Sequence, residues 1–423
     1  MRYRLSFVCL SFLLMTSVPA VGGTPDLPMT FEIENVDGRN IPLQNGRPLI
    51  TLDPQDRPTL DLGGVWKKRR VDVDHDFSLS LRNDEWLSAV QAETNGATQP
   101  GFDDSGWTDY YLPMVENIMP AVPEDPVGAE VYSGGIYYRR TFSVPDQWQG
   151  RVVRLISLAV DYVADVWING QWVGYHEGGY GPFVFDVSQY LNYGAENLIV
   201  FRVDAMPWML RMDILPNLFA TDWHHYCGIV QDVYLEAAPK INVVRADVIP
   251  QNNEGDLNIS VVVENREGLR AYIKAQLEVY RMDEEHPDYL TDPVAAHLAG
   301  DAVELEGIAE QELEIFSMHH GRLDFDVRIV DADLWTPADP NLYVLIVRLY
   351  SGGELVDELN TQFGVRTVET GPEGKLLLNR RPAFFTGMAR HEDWPDSGRS
   401  ASWEKIRDDL QTVSYTHLRA HET

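Results

Sequence analysis

Cysteine is almost missing from this chain. Two occur in 423 residues, Cys9 and Cys227. Cys9 lies inside an N-terminal apolar stretch, so removing that stretch would leave Cys227 alone. A single cysteine cannot close an intrachain disulfide. Positive charge is scarce as well. Lys and Arg number 34 against 65 Asp and Glu, giving a formal net charge of −31. That balance excludes polyanionic partners such as nucleic acid and anionic membrane surfaces. Long apolar runs are also wanting. The longest, residues 5–15, is too short to span a bilayer, and no later stretch reads as a transmembrane helix, so no membrane insertion is expected.

That apolar run has its own meaning. Arg2 and Arg4 precede it and Val18-Pro19-Ala20 follows it, the layout of a secretory signal over residues 1–20. Cys9 lacks the preceding small residues of a lipoprotein signal. The expectation is a secreted or periplasmic protein that is exported but not stapled by disulfides.

Length predicts roughly two to four domains. Aromatic residues make up 11% of the chain, a content suited to neutral ligands such as sugars, whose apolar faces stack on rings. Between residues 21 and 238 short strands dominate. Residues 60–66 and 136–144 are strand-like, 152–160 is nearly all apolar, and 183–187 alternates. Residues 80–93 are expected to form a short helix in an insertion. Asn169-Gly170 between two apolar runs is the strongest short hairpin signal. Short strands at regular spacing mean a β-sandwich. Residues 239–367 offer seven further strand candidates, most alternating polar and apolar, which predicts a second sandwich of two packed sheets. Residues 375–378 and 383–388 read as strands about the turn Asn379-Arg380-Arg381-Pro382, the second being short and buried. The charged run Arg390-His391-Glu392-Asp393 begins where that strand ends. Ser402 can cap a helix over 403–413, with Ile406, Leu410 and Val413 on one face. Residues 414–423 break that pattern and read as a non-native tail.

Several segments together carry a resemblance. Ile136-Tyr137-Tyr138-Arg139-Arg140-Thr141-Phe142, Val166-Trp167-Ile168-Asn169-Gly170, and Gly178-Gly179-Tyr180 with Phe185-Asp186-Val187 resemble the N-terminal jelly roll of glycoside hydrolase family 2, which contains β-galactosidases, β-glucuronidases and β-mannosidases. Asp222-Trp223-His224-His225-Tyr226-Cys227-Gly228-Ile229 is similar to the family's Asp-aromatic-x-x-Tyr-x-Gly-Ile segment, although Gln231 stands where the family often has arginine. Leu334-Trp335-Thr336-Pro337 with Pro340-Asn341-Leu342-Tyr343 resembles its Trp-x-Pro…Pro-x-Leu-Tyr signature. Phe385-Thr386-Gly387-Met388-Ala389-Arg390-His391-Glu392-Asp393 resembles the start of its catalytic barrel.

The resemblance implies a mainly β chain: signal 1–20, jelly roll 21–238, immunoglobulin-like sandwich 239–367, and over 368–413 the first strand and helix of an incomplete (β/α)8 barrel. It implies a retaining exo-β-glycosidase acting on terminal β-galactosides or β-glucuronides, with a carbohydrate partner and possible homo-oligomers of the parent enzyme. Asp222, Arg390 and His391 are implied substrate-binding residues, with Glu392 supporting them. Asp222 can fix a sugar by accepting two hydroxyl hydrogen bonds. His391 can donate from one ring nitrogen while the other is held by a neighbour. No cofactor or metal is implied; His224-His225 are adjacent, and adjacent residues rarely aim at one ion. The acid and nucleophile glutamates of the family lie on later barrel strands. A barrel takes ~250 residues, so both are expected beyond this chain, which should be inactive alone, with the segment after Thr367 loosely docked or disordered. The alternative is a secreted carbohydrate-binding or adhesion protein of two sandwiches without catalysis.

Overall fold

A computed structural model describes residues 30–36, 38–118, 132–206, 226–283, 294–385, 387 and 389–414. The chain starts with a hairpin of β1 (Phe31–Val36) and β2 (Arg39–Gln44), extended by β3 (Arg47–Pro48). The first sandwich then runs β4 (Thr59–Asp61), β5 (Gly64–Val71), α1 (His75–Ser78), α2 (Asp84–Glu93), β6 (Thr108–Leu112), β7 (Met114–Val115), β8 (Gly135–Ser143), β9 (Val152–Ser157), β10 (Val160–Asp161), β11 (Val163–Ile168), β12 (Gln171–Glu177), β13 (Phe183–Asp186), β14 (Glu196–Asp204), β15 (Gly228–Ile229) and β16 (Val233–Ala238). One sheet has the order β12-β11-β14-β8-β5-β6, and the other β13-β9-β16-β4. A third, β10-β15-β7, brings residues 114–115, 160–161 and 228–229 side by side.

The sequence explains these elements. Asn169 and Gly170 both take positive φ, 52° and 81°, so the β11–β12 turn is the left-handed pair that a twisted hairpin needs. Apolar side chains of both sheets, among them Trp66, Tyr138, Leu155, Val166, Phe183, Phe201 and Leu235, form one buried core. The outer face of the six-stranded sheet has a second core. There α2 lays Trp86 flat on Trp167, ring centroids 6.2 Å apart. The helix starts at Asp84, later than the sequence pattern suggests, because the Asn83 side chain accepts from Trp86 N and caps it.

The second sandwich comprises β17 (Ile241–Pro250), β18 (Asp256–Asn265), β19 (Ala271–Met282), β20 (Leu298–Ala299), β21 (Leu305–Gly307), β22 (Glu310–Ile315), β23 (His320–Ile329), β24 (Tyr343–Ser351) and β25 (Glu354–Phe363). Its sheets are β17-β18-β23-β21 and β20-β19-β24-β25, with β22 also on β19. Alternation along β19 (buried Ala271, Ile273, Ala275, Leu277, Val279) is the half-buried pattern in three dimensions. No disulfide is needed, because the interior is filled by apolar side chains.

The N-terminal segment ties the sandwiches together. Ile41, Leu43 and Ile50 share a buried cluster with Ile156 of the first and Val244 and Val262 of the second. Thr51 N donates to Val244 O at 3.0 Å. Gln55 and Asn360 exchange bonds: Gln55 Nε2 donates to Asn360 O and Asn360 N donates to Gln55 Oε1, each at 2.9 Å.

Beyond the second sandwich lie β26 (Val368–Thr370), β27 (Leu376–Leu378) and β28 (Arg381–Pro382) as a small sheet, then α3 (Trp403–Val413). Its turn is anchored by Asn379, whose side chain accepts from Thr367 N at 3.0 Å and donates to Trp335 O at 3.0 Å. Over its described residues, 383–385 and 387, the buried strand expected for 383–388 is not formed. Residues 383–385 carry no strand, and Phe384 is 92% exposed. A buried strand needs neighbours on both edges and cover on both faces, and among the described residues none flanks this one. Helix α3 forms under its Ser402 cap, yet it has no buried residue, and Leu410 is exposed.

Candidate functional site

The charged run after Phe385 folds as a compact loop against the first sandwich. Trp394 and Gly398 close it with paired backbone bonds, Trp394 N to Gly398 O at 3.0 Å and Gly398 N to Trp394 O at 2.8 Å. Gly398 has φ 55°, and a Cβ there would fall 2.5 Å from Val115 Cγ2 and 2.6 Å from Tyr226 Cε1. Only a bare backbone lets the loop seat this closely. Gln231 Nε2 donates to Arg399 O at 3.2 Å. Ser397 and Ala401 are buried. The loose or disordered segment expected from sequence is, over 389–402, a loop held by specific contacts. The reason is that its partners come from the sandwich and not from a barrel.

Arg390 sits inside this loop. Its Nη1 donates to Glu392 Oε1 at 2.7 Å and its Nη2 to Asp409 Oδ2 of α3 at 3.3 Å. The guanidinium also lies 4.8 Å from the Trp394 ring centre. Glu392 therefore holds the loop through Arg390. His391 points outward, with a 65% exposed side chain and Nδ1 3.8 Å from Asp393 Oδ2. An exposed imidazole steadied on one side by a carboxylate leaves its other nitrogen for a ligand hydroxyl. Asp222 falls outside the described residues, as do His224 and His225. Cys227 is fully buried, accepting from Asn117 Nδ2 at 3.4 Å, and burial pushes its thiol pKa well up. It is a small core residue and no nucleophile.

Beside the loop the first sandwich contributes polar groups that the sequence reading passed over. Asp161, 3% exposed at the end of β10, accepts from the Tyr180 hydroxyl at 3.3 Å. Burial lifts the Asp161 carboxyl to about 7, against the opposing pull of Tyr180 and the Arg399 cation. Arg399 lies 4.6 Å from the Tyr180 ring centre and 5.9 Å from that of Tyr226. Burial raises the Tyr226 phenol, and the facing Asp393 carboxyl raises it further. A signal for these residues existed: Gly178-Gly179-Tyr180 and Tyr226 lie within the segments that carry the resemblance. Arg399 had none, since the partners named for it lie far away in the chain, Gln231 being 168 residues from it.

The assembled edge thus has an exposed imidazole, carboxylates, a guanidinium and tyrosine rings, a chemistry suited to hydroxyl-rich neutral ligands. Among the described residues no three His, Cys, Asp or Glu side chains are grouped to hold a metal ion. No helix among them is long and apolar enough to cross a membrane.

Comparison with known proteins adds the following. Residues 60–239 match the family described as "Glycosyl hydrolases family 2, sugar binding domain", residues 241–366 match "Glycosyl hydrolases family 2", and residues 370–423 match "Glycosyl hydrolases family 2, TIM barrel domain". A β-galactosidase of Thermoanaerobacter pseudethanolicus is 27% identical over 334 residues, covering 79% of this chain and 41% of that protein. A β-galactosidase of Psychromonas ingrahamii is 26% identical over 363 residues, covering 81% of this chain and 33% of that protein. The structure of Bacteroides uniformis β-glucuronidase 2, covalently bound to cyclophellitol-6-carboxylate aziridine, superposes with TM-score 0.67 at 23% identity, covering 85% of this chain and 38% of that one. That likeness speaks to the fold alone. The chain spans well under half the length of these relatives. Its two sandwiches, the short stretch of barrel domain after them and the three consecutive matches have one account: the chain belongs to glycoside hydrolase family 2.

Proposed function

We propose that this chain is the N-terminal part of a secreted, retaining exo-β-glycosidase that removes terminal β-galactosyl or β-glucuronyl residues. The carrying observation is the run of three family matches in order, with the loop of the third seated on the sugar-binding domain at Tyr226 and Gln231. In this reading His391 donates to a sugar hydroxyl from the rim of the pocket. Asp222 accepts hydroxyl hydrogen bonds from the same sugar. Arg390, occupied by Glu392 and Asp409, sets the loop's shape and lends positive potential. Retaining hydrolysis needs two carboxyl groups about 5–5.5 Å apart, one protonating the leaving oxygen and one attacking the anomeric carbon before water releases the sugar. Those two are assigned to parts of the enzyme outside this chain, so the chain alone is inactive.

The test is kinetic. The complete gene product is expected to hydrolyse an aryl β-galactoside or an aryl β-glucuronide, with the first-formed sugar keeping its β configuration by NMR. His391→Ala and Asp222→Asn are expected to raise KM at least tenfold, and residues 1–423 alone to turn over neither substrate. A complete product that hydrolyses neither substrate, while residues 21–367 bind clearly on a glycan array, would replace this reading with that of a binding module.

A further inference from the structure

The loop that bears Arg390 and His391 has a specific fastening on the first sandwich, and its centre is Arg399. The guanidinium lies over the Tyr180 ring at 4.6 Å and reaches toward the Tyr226 ring at 5.9 Å. Such contacts orient a cation without neutralising it. Tyr180 itself is fixed by donating its hydroxyl to Asp161 Oδ2 at 3.3 Å. The Arg399 carbonyl accepts from Gln231. Gly398, next in the chain, presses on Val115 and Tyr226 with no room for a side chain. One arginine is therefore held by ring faces from two segments, by a carbonyl bond and by its neighbour's backbone. The Arg399 cation pulls the Asp161 carboxyl down against the effect of its burial.

We infer that Arg399 is a positioning residue: clamped on Tyr180 and Tyr226, with Asp161 as its buried counter-charge, it fixes residues 389–402 on the first sandwich and so sets where Arg390 and His391 stand. The importance of that placement rests on the sugar-pocket reading; the fastening itself does not. Among the described residues, the charged and titratable groups acting on Asp161 include Tyr180 from the β12–β13 loop, Arg399 from the docked loop and Cys227 beside β15. Only Arg399 among them is a cation. Ionisation of Asp161 therefore strengthens the clamp. Asp161 is enclosed by the sandwich itself, paired with Gly228 and packed on Gly179. Seating the loop adds the Arg399 cation to a carboxyl already buried, draws its pKa down toward about 7, and is therefore favoured as pH rises from 5 to 8.

Hydrogen exchange on the intact chain, corrected for the intrinsic pH dependence of exchange and read without any sugar, tests this. Peptides from 389–402 are expected to exchange at least tenfold faster in Arg399→Ala than in wild type, while peptides from Glu196–Asp204 stay unchanged. Arg399→Lys should restore part of the protection. In wild type, protection of 389–402 should rise at least threefold from pH 5 to 8. Asp161→Asn should remove that rise, and Tyr180→Phe should shift its midpoint upward, because the ionised carboxylate loses a donor. Protection of 389–402 in Arg399→Ala equal to wild type would overturn the proposal. So would a wild-type protection flat with pH, which remains readable if Arg399→Ala unfolds the sandwich. Failure of the sugar-pocket reading shows instead in the kinetics of the complete gene product.

Discussion

Arg154 crosses the junction of the two sandwiches and places Nη2 2.7 Å from Glu264 Oε1. Both side chains are nearly sealed from solvent, 2% and 3% exposed. The same guanidinium meets Glu236 at 3.0 Å and Asn242 at 2.6 Å. Arg47 adds a second cation to Glu264 at 2.5 Å, and Arg57 joins Asp357 at 2.6 Å. The sandwiches thus share a buried, interlocked charge network beside the apolar cluster of Ile41, Ile156 and Val262. Removing one partner from such a network leaves the others charged and dry. Arg154→Met is therefore expected to cost about 3–5 kcal/mol. Urea unfolding followed by fluorescence should show it as a lowered midpoint.

Acid should act on the same junction. Burial opposes the charge of Glu264, but Arg154 and Arg47 outweigh it and hold the carboxyl at about 2. The folded value lies below the unfolded one near 4.5. Its contribution is complete above about 4.5 and drains away as pH falls toward 2, by up to a few kcal/mol. Glu264→Gln should be less stable than wild type at pH 7, and the gap should narrow below pH 4.5. Thermal unfolding across pH 7 to 3 measures it; a constant gap would contradict the assignment.

The parts of this architecture that could be read from sequence are those encoded locally. Asn169-Gly170 specifies its turn by conformation alone, and the alternation along Ala271–Met282 specifies a half-buried strand. The hairpin of Phe31–Val36 and Arg39–Gln44 was missed, although the pair Asp37-Gly38 between its strands is a hairpin signal. Phe384 and Phe385 show the opposite error. Their hydrophobicity argued for burial, but burial depends on neighbours, and hydrophobicity supplies none. The candidate site divides in the same way. Arg390 and Glu392 stand two residues apart, close enough for a local pair, whereas the meeting of Arg399 with Tyr180 is set by tertiary structure alone.

The outer core should be energetically distinct from the site. Trp86 is 2% exposed, stacks on Trp167 and on Phe77, and donates Nε1–H to Phe77 O at 3.0 Å. Among the described residues, its ring neighbours Phe77, Trp167, Arg82 and Arg202 all belong to the first sandwich and none to 389–402. Trp86→Ala is expected to cost about 3–5 kcal/mol. It should leave the relative protection of the 389–402 loop unaltered at temperatures where the sandwich is folded. Differential scanning fluorimetry and hydrogen exchange on the same variant read the two halves of this statement.

Two histidines should pull stability in opposite directions with pH. His75 Nδ1 lies 2.7 Å from Asp204 Oδ1, and this hydrogen bond raises its pKa above 6.5 although partial burial opposes it. A raised histidine contributes fully below the unfolded value of 6.5 and loses that contribution as pH climbs through the folded value. His176 is the reverse. It is 2% exposed, stacked on Phe183 with ring centroids 4.6 Å apart, and burial drops it to about 4. The unfolded chain then takes up a proton that the folded one refuses, so stability falls as pH drops from 6.5 to about 4, by about 3 kcal/mol at most. The two effects occupy adjoining windows of opposite sign, His75 changing above pH 6.5 and His176 below it, and a wild-type stability profile alone does not assign either limb. Variants can. His176→Phe should flatten the loss between pH 6.5 and 4. Asp204→Asn should lower the His75 midpoint seen by NMR while leaving the His176 resonance in place. If instead His176 titrates near 6.5 in the folded protein, its burial between Phe31 and Phe183 is not closed to water, and the acid-side loss must come from carboxylates such as Glu264.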